Sequence, residues 1–278
     1  DYWLAIKSTP VGRLPLDFDG DNTRDSVEKV SILFDEQDTK ALLQDVAESL
    51  NVQINDVLLT ALARSLSDWT GSPSHLVKLE GHGREQLFED LDVSRTVGWF
   101  TSMTPVLLDV GDEDSPLSAL RSVKNQLRQI PNKGVGFGML RYLGDEGAVK
   151  EEIKALPSPE VEFNYLGQFD QMVSGSSLFK PAKESSGATT ALTGLRDCLI
   201  DVNAIVLNKQ LQVDWFYSKN LHKDSTVEAL AERYKQELIS FIAHTLSLQA
   251  GGDEIDYDEF DWSEDEIDEI ASALDRSV

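Results

Sequence analysis

The sequence has a single cysteine, Cys198, so no intrachain disulfide can staple the fold, and a reducing, cytoplasmic setting is the expectation. Basic residues are scarce. Lys and Arg number 25 against 49 Asp and Glu, a net charge of −24 at pH 7. Nucleic acid and anionic membrane surfaces both call for a basic footprint, so neither is an expected partner. No apolar run approaches the roughly 20 residues of a membrane-crossing helix. The opening DYWLAIKSTPVGRLPLDFDG lacks a basic start followed by an apolar stretch and does not read as a secretory signal. It reads instead as a start within something larger. Histidines are few as well: His75, His82, His222 and His244 never adjoin one another. No Gly-x-Ser-x-Gly elbow is present, which argues against a Ser–His–Asp hydrolase. The glycines of 134–138 have no Lys-Ser or Lys-Thr after them, which argues against a nucleotide loop. No repeat of solenoid length is visible.

What is present is an ordinary globular mixture of 278 residues, 41% apolar and 27% charged, enough for a sizeable core. Residues 10–26 read as an extended loop and Val30 to Phe34 as a strand. A helix from Asp38-Thr39 carries Leu42, Leu43, Val46 and Leu50. A second, capped by Asn55, runs to Thr70 with Val57, Leu58, Ala61, Leu62, Leu66 and Trp69 on its buried side. His75 to Glu80 and Val106 to Val110 read as strands, and Pro116 opens another helix. Val161 to Leu166 is a strand, 172–195 a Ser- and Gly-rich loop, and 199–207 with 211–217 a hairpin. Ser225-Thr226-Val227-Glu228 reads as a capping box for a long helix to about His244. The fold class is α/β with a mixed sheet flanked by helices.

From Gly251 onward twelve acidic residues stand against one Arg, so this short end carries −11 of the total charge. It reads as an acidic linker, 251–278, in which Ser263 to Glu266 can start a short amphipathic helix with Ile267, Ile270 and Leu274 on one side.

The stretch EGHGRE, 80–85, sets Glu80, His82 and Arg84 at spacing two, which puts all three on one face of an ideal strand. The glycines between them leave room for another backbone or a ligand to come close. Two readings stand side by side: an acid–base cluster, or a strand Glu paired to Arg84 on the same face. Metal binding by His75, Glu80 and His82 lacks a recognised ligand spacing, so no metal is expected.

EGHGRE, SRTVGWFTS (94–102) and FNYLGQFD (163–170) occur in that order, with INDVLLTALARSL (54–66), PNKGVGFG (131–138) and VDWFYSKNLH (213–222) around and between them. Together they resemble an epimerization domain of the nonribosomal peptide synthetases, over nearly the whole chain, and DEFDWSEDEIDEI resembles the linker after such domains. The resemblance implies one lobe of the two-lobed fold shared with chloramphenicol acetyltransferase. Residues 1–250 would be the C-terminal lobe, with 1–30 as lobe-crossing segment and loop. It also implies an apolar face where the other lobe belongs. The family's His-His-x-x-x-Asp-Gly motif is absent here, so the N-terminal lobe is an expected partner.

The implied reaction inverts Cα of an aminoacyl or peptidyl thioester held on the 4′-phosphopantetheine of a peptidyl carrier protein. By resemblance Glu80 is general base or acid, and Tyr165 sits near the cleft to bond the enolate oxygen or assist proton transfer. Taken alone, Tyr165 reads as a core aromatic. Asn164 is a candidate for holding the thioester or the pantetheine amides. Thr101 and Ser102 are candidates for bonding the pantetheine arm, and Trp99 for the wall of the site. His82 and Arg84 are expected to be structural, Arg84 through a fork to a carboxylate or carbonyls. Thr104 and Phe137 depart from the family's usual aromatic and Tyr. Two alternatives remain open: a non-catalytic lobe that binds carrier protein, and a lobe of a peptide-bond-forming condensation domain.

Overall fold

The computed structural model describes residues 2–85, 87, 92–111, 115–144, 147–169, 184, 187 and 191–251. Most of the loop expected at 172–195, and the helix expected in the acidic linker, lie outside these residues.

Six strands among the described residues form one mixed sheet: β1 (Val27–Leu33), β2 (Ser74–Gly81), β3 (Ser102–Asp109), β4 (Val161–Gln168), β5 (Ile200–Leu207) and β6 (Gln210–Ser218). Their order is β1-β6-β5-β4-β2-β3. β2 and β4 run parallel, as do β4 and β5, while β1/β6, β5/β6 and β2/β3 are antiparallel. The β5–β6 turn is the two residues Asn208-Lys209, both with positive φ, as a type I′ hairpin turn requires.

Alternation along the strands decides which side is core. In β5, Ile200, Val202, Ala204 and Val206 are buried and the residues between them are not. The buried set shares one apolar core with Val77, Val106, Phe163, Val213 and Trp215. Helices cover that side. The first begins as α1 (Glu36–Lys40), passes through a π-helical stretch, Ala41–Val46, and ends as α2 (Ala47–Ser49). α3 (Ile54–Thr70), α4 (Pro116–Arg128) and α7 (Asp224–Gly251) complete the layer, with α5 (Val135–Gly138) and α6 (Ala148–Lys154) lying between α4 and β4 in the chain. α3 and α7 are tied by Arg64 Nε donating to Glu237 Oε2 at 2.6 Å, a pair almost closed to solvent.

Helix starts differ from the sequence reading by one to three residues. Asp35 caps α1 by accepting from the Asp38 backbone N–H. The box at α3 is made by Gln53 and Asp56, so Asn55 lies inside the first turn. α7 begins at Asp224, which puts Ser225 inside the helix as well. Ser115 before Pro116, and Gly71 with φ of 73° after α3, follow the expected rules.

A second, smaller core lies on the other face at one corner of the sheet. Trp3 and Ile6 of the 3₁₀ turn Trp3–Ser8 pack there with Leu76, Phe137, Ile153 and Leu156. The first residues are thus part of this unit's packing. Away from that corner the second face presents Lys78 and Glu80 from β2, Glu162 and Asn164 from β4, Asp201 and Asn203 from β5, and Asp214 from β6, each on the parity opposite to the core residues. Beside these polar groups the same face carries Leu33 of β1, Met103 of β3, Ile205 and Leu207 of β5 and Phe216 of β6, so it is mixed in character.

Candidate active site

β2 carries Glu80 into the interior of the sheet, between antiparallel β3 and parallel β4. Its backbone partner on β3 is Met103. Lys78 is registered opposite Glu162 on β4, and one parallel step further Glu80 meets Asn164. The Asn164 amide Nδ2 donates to Glu80 Oε2 at 2.7 Å. The Lys78 ammonium lies 2.5 Å from Glu162 Oε2 and 3.9 Å from Asp197 Oδ2. Two side-chain pairs thus stand next to each other on this face, the Lys78–Glu162 ion pair and the Glu80–Asn164 carboxylate–amide pair.

Burial, and then the Glu162 carboxylate, hold Glu80's carboxyl above the usual carboxylate range. The Asn164 bond and the Lys78 charge pull the other way and do not win. Such a group is a better base than a solvated carboxylate and a better acid near neutral pH.

Arg84 does not pair with Glu80. The strand ends at Gly81, so the chain turns before Arg84 can share its face. The guanidinium instead donates to the carbonyls of Val93 at 2.5 Å and Gly98 at 3.2 Å, and its Cζ stands 4.4 Å from the centre of the Phe100 ring. Arg84 pins the 92–100 segment against the end of β2, the carbonyl fork that the sequence suggested. Gly83 serves the same contact. With φ of 65°, a Cβ there would sit 1.6 Å from the Phe100 carbonyl oxygen. The close approach permitted by this glycine is that of protein backbone.

His82 is past the strand end and largely exposed, with Nδ1 accepting from the Arg84 backbone N–H at 3.0 Å and Nε2 lying 3.2 Å from Glu85 Oε1. It is not joined to Glu80. Thr101 and Ser102 are half-buried at the start of β3, and Ser102 pairs with Gly81, one residue from Glu80. The Trp99 side chain is 88% exposed, so it is no part of the core.

Tyr165 falls on the opposite side of the sheet from Glu80. It shares parity with Phe163, not Asn164, and packs against the main core, where burial raises its hydroxyl above the usual value. The structure brings Glu80 and Asn164 together and leaves Tyr165 behind them, because adjacent residues of a strand face opposite ways.

Sequence reasoning missed Lys78 and Glu162. Their signal was parity, since 78 and 80, like 162 and 164, share a face. Only the parallel pairing of β2 with β4 makes them neighbours. Ligand atoms of Glu162, Cys198 and Asp201 lie within 4.8 Å of one another. Burial pushes the Cys198 thiol up to about 12, and the two carboxylates have basic partners of their own, Glu162 the Lys78 ammonium and Asp201 the Arg196 guanidinium. His75, expected to be no ligand, is buried with Nε2 2.8 Å from Thr70 Oγ1.

The condensation-domain family model matches residues 1–256. The chain belongs to the condensation-domain family. One protein of the linear gramicidin synthase of Brevibacillus parabrevis is 45% identical over 255 residues, covering 90% of this chain and 3% of that protein. A second protein of the same synthase is 46% identical over 253 residues, covering 90% and 5%. The crystal structure of the epimerization domain from the third module of tyrocidine synthetase B is 31% identical with a TM-score of 0.80, covering 88% of this chain and 55% of that one. This condensation-family chain therefore spans a few per cent of the synthase proteins it matches and about half of the epimerization-domain chain. The six-stranded mixed sheet with flanking helices is the condensation/epimerization-domain fold that the sequence motifs implied. No helix among the described residues is long and apolar enough to cross a membrane.

Proposed function

We propose that this chain is one lobe of an epimerization domain of a nonribosomal peptide synthetase and that Glu80 moves a proton at Cα of its substrate. The substrate is an aminoacyl or peptidyl group held as a thioester on the 4′-phosphopantetheine of a peptidyl carrier protein, in a cytoplasmic synthetase. The observation that carries the reading is the Glu80 carboxyl itself. It is half-buried, raised above its usual range, oriented by Asn164, and presented on the sheet face opposite the main helical layer.

The chemistry follows from that placement. A thioester carbonyl acidifies the Cα–H, and a carboxylate in reach takes that proton while the electron pair moves onto the thioester oxygen. Return of a proton to the opposite face of Cα inverts the centre. That second donor must stand across the substrate from Glu80, and no adjoining histidines in this sequence supply it. It is assigned to a second lobe facing this surface. Thr101 and Ser102, beside the end of β2, are the side chains offered to the pantetheine arm, and Asn164 acts first on Glu80. The similarity to a solved epimerization domain supports this reading over a condensation role.

The test mixes the chain with a loaded carrier protein in deuterated water, with and without a supplied complementary lobe. Deuterium uptake at Cα and the D/L ratio are measured. Uptake only in the reconstituted mixture is expected. Uptake by the chain alone contradicts the need for a second lobe, and none in a folded mixture favours a binding-only lobe.

A further inference from the structure

Behind Glu80 lies an ion pair that the proposed reaction does not yet use. Lys78 and Glu162 are directly registered on neighbouring parallel strands, their charged atoms are 2.5 Å apart, and their side chains are only 16% and 21% exposed. Both share the face of Glu80. Lys78 stands two residues before it on the same strand, and Glu162 two residues before its partner Asn164. A pair this far from solvent has to be compensated by its surroundings, and a structural role alone would be as well filled by apolar residues.

We propose that Lys78 and Glu162 are positioning residues for the chemistry at Glu80, acting through the charges they hold on its strand face and touching no substrate. This rests on the reading of Glu80 as the proton-transfer group. Lys78 neutralises Glu162, so Glu80 meets a paired carboxylate in place of a bare one. Two unpaired carboxylates so close on one face would hinder each other's ionisation. Among the described residues the remaining charges nearby have their own partners. β3 offers Met103 opposite Glu80. Asp197 lies at the far side of Lys78, and Asp201 on β5 is paired to Arg196 at 2.9 Å. His82, Glu85 and Lys133 associate with one another beyond the strand end, at 3.2 and 3.5 Å.

The test reads Glu80 directly. The chain is labelled with ¹³C at the glutamate carboxyl carbons, Glu80 is assigned from its loss in Glu80→Gln, and its titration is followed by NMR. Lys78→Met leaves Glu162 unpaired and moves the Glu80 titration to higher pH. Glu162→Gln leaves Lys78 with only the more distant Asp197 and moves it to lower pH. The double variant returns it toward the parent. A displacement of roughly half a pH unit is the smallest that counts, the sites being partly exposed. Loss of packing alone would not move the two single variants in opposite directions. Titrations that stay put, or move the same way, overturn the inference. In the reconstituted exchange assay the acid limb of the pH profile follows the same two shifts. Exchange that survives Glu80→Gln overturns the functional reading instead, and the titrations still report on the ion pair.

Discussion

Asn164→Asp is the sharpest perturbation of the site, because it changes one atom of the amide and preserves shape. The Asn164 Nδ2 that donates to Glu80 Oε2 at 2.7 Å becomes a second carboxylate oxygen at the same place. Two unit charges at that separation repel by about 1.5 kcal/mol in bulk water and about 6 kcal/mol at the effective dielectric of a protein surface. The half-exposed site lies toward the lower figure. A repulsion of about 1.4 kcal/mol corresponds to one pH unit, so the pair keeps one proton over at least about one unit more of pH than Glu80 does alone. Loss of the donated hydrogen bond acts in the same direction. The acid limb of Cα exchange therefore moves up by about one pH unit or more, and exchange below that limb falls about tenfold. Asn164→Ala, which removes the donor without adding charge, moves the limb the same way by less. The assay is deuterium uptake at Cα against pH in the reconstituted domain, with carboxyl titration of the chain in parallel. An unmoved limb in Asn164→Asp, with the protein folded, would refute the claim that Asn164 governs Glu80.

Three further outcomes concern the frame that holds the site. Leu62→Ala empties a fully buried position in α3 and lowers unfolding free energy by about 2–5 kcal/mol, read from urea midpoints; a change within error would mean that α3 is not packed on the sheet as described. Gly134→Ala places a Cβ 2.5 Å from the buried Thr104 methyl in a residue with φ of 89°, and costs about 1–3 kcal/mol. Thr104→Ser in the same chain removes that methyl and recovers part of the loss. Burial, opposed by the Asp109 charge, lowers His75 to about 4. Its folded value lies below its unfolded one, so the unfolded chain binds the extra proton between about 6.5 and about 4. Stability is full above that window and declines as pH falls through it, and His75→Gln flattens this part of the urea-midpoint profile.

Local features of the fold were legible because local chemistry fixes them. Pro116 opened α4, Gly71 closed α3, and the hairpin turn was legible at 208–210, of which Asn208 and Lys209 make the turn and Gln210 already belongs to β6. Helix starts slipped where the cap is a reciprocal pair, as with Gln53 and Asp56, because Asn55 offers an equally suitable side chain. The site divides along the same line. Glu80 was found from its motif. Its partners Asn164, Lys78 and Glu162 depend on β2 lying parallel to β4, a pairing between residues more than eighty apart that no local pattern encodes. Tyr165 shows the opposite case. Phe163 and Tyr165 have one parity and Asn164 the other, so the sequence already held the information that Asn164 and Tyr165 face different ways. Their side-by-side place in FNYLG concealed it. The polar residues of that face, Glu162, Asn164, Asp201 and Asn203, were readable in the same way from their parity.

Everything proposed for this chain turns on Glu80 as the proton-transfer group that it contributes. The direct measurement is solvent-deuterium incorporation at Cα of a carrier-bound aminoacyl or peptidyl thioester, compared between the parent sequence and Glu80→Gln with the complementary lobe present. Glu80→Gln keeps the side chain's size and its contact with Asn164 but cannot accept the proton, so incorporation and epimerization are both expected to be lost. Incorporation at the parent rate in folded Glu80→Gln would contradict the role given to Glu80.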